Sequence, residues 1–157
     1  MWGVLVVAAM SGATAARLAG QQTPSAYPEI RADAILGNGA VGQAGAGVVV
    51  PMGIYVRFGL DGAAGATWQG GGSSASGRID AIARFLFDPL RENGTALSLG
   101  GGLSAPIQRD GVKSPYLTLV VDVEGKRRGG VTPALELGLG GGARIGVVLR
   151  RSPPRWR

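Results

Sequence analysis

From Glu29 to Arg150 the chain alternates apolar and polar residues in short runs, and within each run the charges keep to one parity. Side chains of a β-strand point alternately to opposite faces, so a two-residue period marks strands with one apolar and one polar face. Eight such strands are expected. The first, Glu29–Leu36, sets Ile30, Ala32, Ala34 and Leu36 against Glu29, Arg31 and Asp33. The second, Gln43–Val50, sets Ala44, Ala46, Val48 and Val50 against Gln43, Gly45 and Gly47, and Pro51-Met52-Gly53 then reads as a tight reversal. In the third, Ile54 to about Trp68, Ile54, Val56, Phe58 and Leu60 oppose Tyr55, Arg57, Gly59 and Asp61. The fourth, Arg78–Phe87, turns Ile79, Ala81, Ala83, Phe85 and Phe87 away from Arg78, Asp80 and Arg84.

The remaining four follow the same rule. Thr95–Ala105 has Leu97, Leu99 and Leu103 opposite Ser98, Gly100, Gly102 and Ser104. Tyr116–Glu124 sets Leu117, Leu119, Val121 and Val123 against Tyr116, Thr118, Asp122 and Glu124. Val131–Leu139 opposes Leu135, Leu137 and Leu139 to Glu136 and Gly138, and Ala143–Arg150 opposes Ala143, Ile145, Val147 and Leu149 to Arg144, Gly146 and Arg150. Thirteen charges fall in these runs, namely seven acids (Glu29, Asp33, Asp61, Asp80, Asp122, Glu124, Glu136) and six arginines (Arg31, Arg57, Arg78, Arg84, Arg144, Arg150). All thirteen share the polar parity.

Period-two alternation fits a soluble barrel with an apolar lumen as well as a membrane barrel with a polar one. Residue type decides between them. The polar face of the strands has no lysine and is built of Gly, Ser, Arg, Asp and Glu in nearly balanced sign. A crowded interior needs that mixture, because glycines make room and arginine forks pair with carboxylates where unpaired charge is costly. The opposite face carries no charge in any strand, as a hydrocarbon surrounding demands. The lumen-lining set expected on this basis is Arg31, Asp33, Arg57, Asp61, Arg78, Asp80, Arg84, Asp122, Glu136 and Arg144. Were a narrow gated pore to exist, Arg57, Arg84, Arg144, Glu136 and Asp122 would line it.

Composition narrows the chemistry. The chain of 157 residues is one domain, with 29 glycines and neither Cys nor His. Disulfides, Cys/His zinc sites, thiol nucleophiles and histidine bases are therefore excluded, and no catalytic residue, metal site or cofactor is expected. The net charge of +6 raises nucleic-acid binding, but only Lys113 and Lys126 are lysines and aromatics are too few for stacking platforms. Residues 1–20 read as a signal peptide, with the apolar stretch Gly3–Met10 and a small-x-small site at Ala13-Thr14-Ala15. Residues 21–27 then form an N-terminal arm, 28–151 the barrel and 152–157 a C-terminal tail.

The pattern from Pro28 to Arg151 resembles the small eight-stranded outer-membrane β-barrels of diderm bacteria. That resemblance implies an all-β fold, an eight-stranded antiparallel up-and-down transmembrane β-barrel in the bacterial outer membrane. It also implies the barrel-assembly machinery and periplasmic chaperones as partners, beside the outer-membrane lipid itself. Family roles include anchoring, adhesion and, more rarely, lipid-modifying catalysis; a non-enzymatic structural or surface-interaction role is expected here. With the N-terminus on the periplasmic side, Gln69–Ser76 and Pro106–Ser114 become long outer loops, and Glu124–Gly130 an inner turn. Trp68, Tyr55, Tyr116, Phe85 and Phe87 are candidates for interfacial girdles. Lys126, Arg127, Arg128, Arg150, Arg151, Arg155 and Arg157 would gather at the periplasmic rim, facing anionic headgroups or water.

Two other readings compete with this one. Gly37-Asn38-Gly39-Ala40-Val41-Gly42 has the spacing of a dinucleotide fingerprint, but the residues after it, from Gly45 to Pro51, are poor helix formers, so a Gly-rich hairpin turn is expected. The alternative function is a soluble exported barrel that binds a small apolar ligand in its lumen.

Overall fold

The computed structural model describes residues 25–90, 94–108 and 111–151. The expected signal peptide, most of the N-terminal arm and the C-terminal tail, with Arg155 and Arg157, lie outside the described residues. Nine strands occur among the described residues: β1 (Tyr27–Leu36), β2 (Ala40–Pro51), β3 (Val56–Gln69), β4 (Gly72–Leu86), β5 (Ala96–Gln108), β6 (Gly111–Val112), β7 (Tyr116–Glu124), β8 (Val131–Leu139) and β9 (Ala143–Arg151). Each of the eight long strands pairs antiparallel with its neighbours in sequence, β5 with β7 across the short β6, and β1 pairs with β9. The fold is thus a closed, all-β, eight-stranded antiparallel barrel with one extra two-residue strand folded onto β5. No helix occurs among the described residues.

The register sets the barrel's girth. Stepping between partners from Tyr27 through Val49, Gly59, Ile82, Gly102 and Thr118, and continuing over β8 and β9, leads back to β1 at Gly37, ten residues on. A ten-residue slide at ~3.3 Å per residue around eight strands spaced ~4.8 Å apart gives a tilt of about 40°. Nine-residue strands such as β7, β8 and β9 then rise about 23 Å, near the ~25 Å apolar band of membrane barrels.

Burial alternates residue by residue along β1, β7 and β9 and through the lower part of β4, where Arg78, Asp80, Ile82, Arg84 and Leu86 are buried. Ile79, Phe85, Leu119 and Ile145 are 47%, 48%, 60% and 49% exposed on the outer wall, while Arg84 and Glu136 are 2% and 0% exposed within. The two ends differ. At the end where β1 begins the strand ends form an even rim, but at the far end β3, β4 and β5, of 14, 15 and 13 residues, overtop the nine-residue β7, β8 and β9. At ~3.3 Å per residue and this tilt, the β3–β5 side stands about 10–15 Å higher.

Several sequence expectations need correction. Gln69–Ser76 is not a long loop: β3 ends at Gln69 and β4 begins at Gly72, so Gly70-Gly71, both at positive φ, make a two-residue hairpin turn. Much of Pro106–Ser114 is likewise strand, since β5 runs to Gln108 and folds back through β6. The strand expected from Ile54 starts at Val56, and Tyr55 does not follow the inward parity of Arg57. Its ring is half-exposed and stacks on Phe85 at 5.9 Å. Phe87 lies one residue beyond β4 and meets Phe85 edge-on at 5.7 Å. Gly37–Gly39 form a turn closed by Gly37 N–H donating to Gly39 O at 2.9 Å, and strand, not helix, follows.

Candidate functional site: a charged plug

Where β-strands close into a barrel, every second residue must share a narrow interior. Here the charges on the inward parity are Glu29, Arg31 and Asp33 from β1, Arg57 and Asp61 from β3, and Arg78, Asp80 and Arg84 from β4. Asp122 and Glu124 join them from β7, Glu136 from β8, and Arg144 and Arg150 from β9. All are buried except Arg57, which is half-buried. They form one continuous network. Near the even rim, the Arg57 guanidinium lies 2.7 Å from Glu124, and Arg150 donates to Glu29, Glu124 and Asp122 at 2.9, 2.8 and 2.9 Å. Midway, Arg84 lies 3.0 Å from Asp122 and 2.8 Å from Glu136. Arg31 donates to Asp33 at 3.0 Å, to Asp61 at 2.9 Å and to Glu136. Towards the far end, Arg78 donates to Asp33 at 2.6 Å and Asp80 at 2.8 Å, while Arg144 bridges Asp80 and Glu136, both at 2.8 Å.

Each of the seven carboxylates is therefore held by at least one arginine, and the contacts run across the lumen as well as around it. Arg78 of β4 reaches Asp33 of β1, and Arg144 of β9 reaches Asp80 of β4. Hydroxyls add to two of the carboxylate shells: Ser104 Oγ donates to Asp80 at 2.6 Å and Ser98 Oγ to Asp122 at 3.3 Å. Burying six cations and seven anions in so small a volume is tolerable only with this pairing, because an unmatched ion there costs several kcal/mol, about 3–5 when one partner of a buried pair is removed. Chemically, the arrangement staples distant strands together and fills the bore.

Glycines make the space. A Cβ on Gly146 would lie 2.2 Å from Asp33 Oδ1, and one on Gly100 would lie 2.8 Å from both Arg84 Cγ and Val120 Cγ2. The exchange Gly146→Val is accordingly expected to displace Asp33 from Arg78 and destabilise the barrel by about 1–3 kcal/mol, the usual cost of overpacking. Urea titration of the folded protein checks this; an unchanged midpoint would mean that Asp33 relocates freely.

All ten expected lining residues lie on the inward face, and nine of them are buried. The network is larger than those ten. Glu29, Glu124 and Arg150 belong to it, and Arg150, which the sequence places on the polar parity but also among the rim charges facing headgroups or water, is 2% exposed between three carboxylates. Lys126, Arg128 and Arg151 are exposed at the even rim, with Arg127 half-buried beside them. Ile82, Leu86, Val49, Val120 and Val148 also face inward and are almost fully buried. They fill gaps that the guanidinium arms leave. Strand parity identifies each of them, since Ile82 and Leu86 stand two residues on either side of Arg84. Comparison of the sequence with protein-family models and with curated proteins finds no match.

Proposed function

We propose that this protein is an exported outer-membrane β-barrel that turns its apolar wall to lipid and serves a structural or surface-interaction role without catalysis. The observation that carries the reading is the inverted arrangement of the wall. Apolar side chains ring the outside on all eight long strands, and thirteen charges are gathered around the axis. Among the described residues, the one charge on the outer face of those strands is Arg151, at the even rim. Monomeric soluble proteins rarely expose a contiguous apolar patch above a few hundred Å², whereas this belt encircles the molecule. In acyl chains it is the favourable surface, and closure leaves no unpaired strand edge along the band.

The even rim, where the basic turn Lys126–Arg128 lies beside Arg151, faces the periplasm in this reading. The raised β3–β5 side then stands on the outer surface. Interfacial aromatics fit the same placement: Tyr55, Phe85 and Phe87 cluster near the even rim, and Trp68 and Tyr116 lie at the far end. Membrane lipid and the assembly factors of outer-membrane barrels are the implied partners. The alternative of a soluble barrel with an apolar lumen has less support, because the inward positions here carry the ion pairs.

Cell fractionation and electrophoresis test the proposal together. The protein is expected in the detergent-extracted outer-membrane fraction, and unboiled samples are expected to migrate differently from boiled ones. Recovery from the periplasm in soluble form without detergent would overturn it.

A further inference from the structure

The raised side of the far end carries a cleft of about 410 Å³, bordered by Thr67 and Gln69 of β3, Gly72, Ser73, Ser74 and Ala75 of β4, and Gln108 of β5. This size falls within the ~300–1,000 Å³ range of small-molecule sites. None of these lining residues is charged. Their polar groups are hydroxyls and carboxamides, each able to donate and to accept. Two further features add hydrogen-bonding capacity. The ladder between β4 and β5 stops at Gly77↔Ile107, so among the described residues Gly72–Ser76 has a strand partner only on its β3 side. One step below the cleft, Gln43 is 7% exposed and donates from Nε2 to Ser76 Oγ at 3.2 Å, while its buried Oε1 has no partner among the described residues.

We propose that this cleft binds a neutral saccharide. The argument is one of matching chemistry. A phosphate or carboxylate ligand calls for a cation in the lining, and an aliphatic ligand for an apolar one. Vicinal hydroxyls match a lining of mixed donors and acceptors that carries no charge among the described residues, since sites built to bind hydroxyls discriminate through paired polar groups. A bound peptide extending the sheet is less well served, because the free edge of β4 is five residues long. The plug beneath closes the bore, so the cleft is a surface site open to the medium. The inference deepens the surface-interaction reading above and rests on it for the cleft's placement outside the cell, though not for binding itself.

The test uses the full-length folded protein in detergent micelles. Saturation-transfer NMR is run with maltotriose, mannotriose and triacetylchitotriose as probes, and with sialyllactose and an uncharged decapeptide as comparators. At least one neutral trisaccharide is expected to bind. Its affinity is expected to fall at least tenfold in the variant Thr67→Val combined with Ser74→Ala, which removes both hydroxyls without adding bulk, and to vanish when Gly72→Trp fills the cleft. Retained heat-modifiable migration verifies that both variants fold. Absence of binding by all three neutral probes, binding unchanged by the cleft variants, or preference for sialyllactose or the peptide would each overturn the proposal. Failure of the outer-membrane reading shows separately, as solubility without detergent, and leaves the binding measurement interpretable.

Discussion

Replacing Glu136 with leucine is expected to lower the unfolding free energy by about 3–5 kcal/mol, the cost of stranding buried charge. Glu136 is fully buried and takes contacts from Arg31, Arg84 and Arg144. Leucine is close in volume, so the effect isolates charge from packing. Glu136→Gln keeps acceptor capacity and is expected to lose less. Adding Arg84→Leu to Glu136→Leu removes one of the stranded cations, so the double variant is expected to recover part of the stability, a coupling that a double-mutant cycle measures. Urea unfolding in micelles, followed by the boiled and unboiled forms on gels, provides the readout. A loss below ~1 kcal/mol, typical of exposed pairs, would show that the interior is hydrated enough to screen these charges.

The second large effect is expected on the opposite face. Leu137 is 48% exposed at mid-height of the outer wall, paired with Val121 and Ile145 on the adjoining strands. In lipid, Leu137→Arg is expected to cost about 2–4 kcal/mol, falling to about 0–1 for the same exchange near a rim, as at Val131. The comparison is made by refolding the variants into phospholipid vesicles and measuring denaturant midpoints. In a water-surrounded barrel neither exchange would destabilise, and Leu137→Arg would raise solubility. Depth dependence is therefore the decisive quantity, since loss at both positions alike would indicate a protein partner over the wall.

The barrel and the facing of its walls were legible in the residues because parity is a strong signal. Once Arg78, Asp80 and Arg84 occupy one face of β4, Ile79, Ala81, Ala83 and Phe85 must occupy the other. Strand lengths were less legible. Ser73-Ser74-Ala75-Ser76 alternates nothing and reads as loop, yet it pairs along β3 from Trp68 to Gly65, because a Gly-Gly turn at positive φ returns the chain directly onto β3. Arg150 was legible in part. The residues place it both on the polar parity of the last strand and among the basic residues of the rim, and parity wins because β9 continues to Arg151 and turns Arg150 inward. Which carboxylate each arginine chooses was not legible at all. Arg78 meets Asp33, 45 positions away, because the shear of the closed barrel brings β4 opposite β1, and shear is a property of the whole ring.

The seam between β1 and β9 has a kinetic consequence. Arg150 bonds Glu29 across 121 positions, and Arg31 bonds Glu136 across 105. Such distant pairings form late, after loop-closure entropy has been overcome. Until the ring closes, these ions stay hydrated. β9, set between β8 and β1, is thus a latch: its docking both seals the cylinder and dehydrates the ions gathered at this seam.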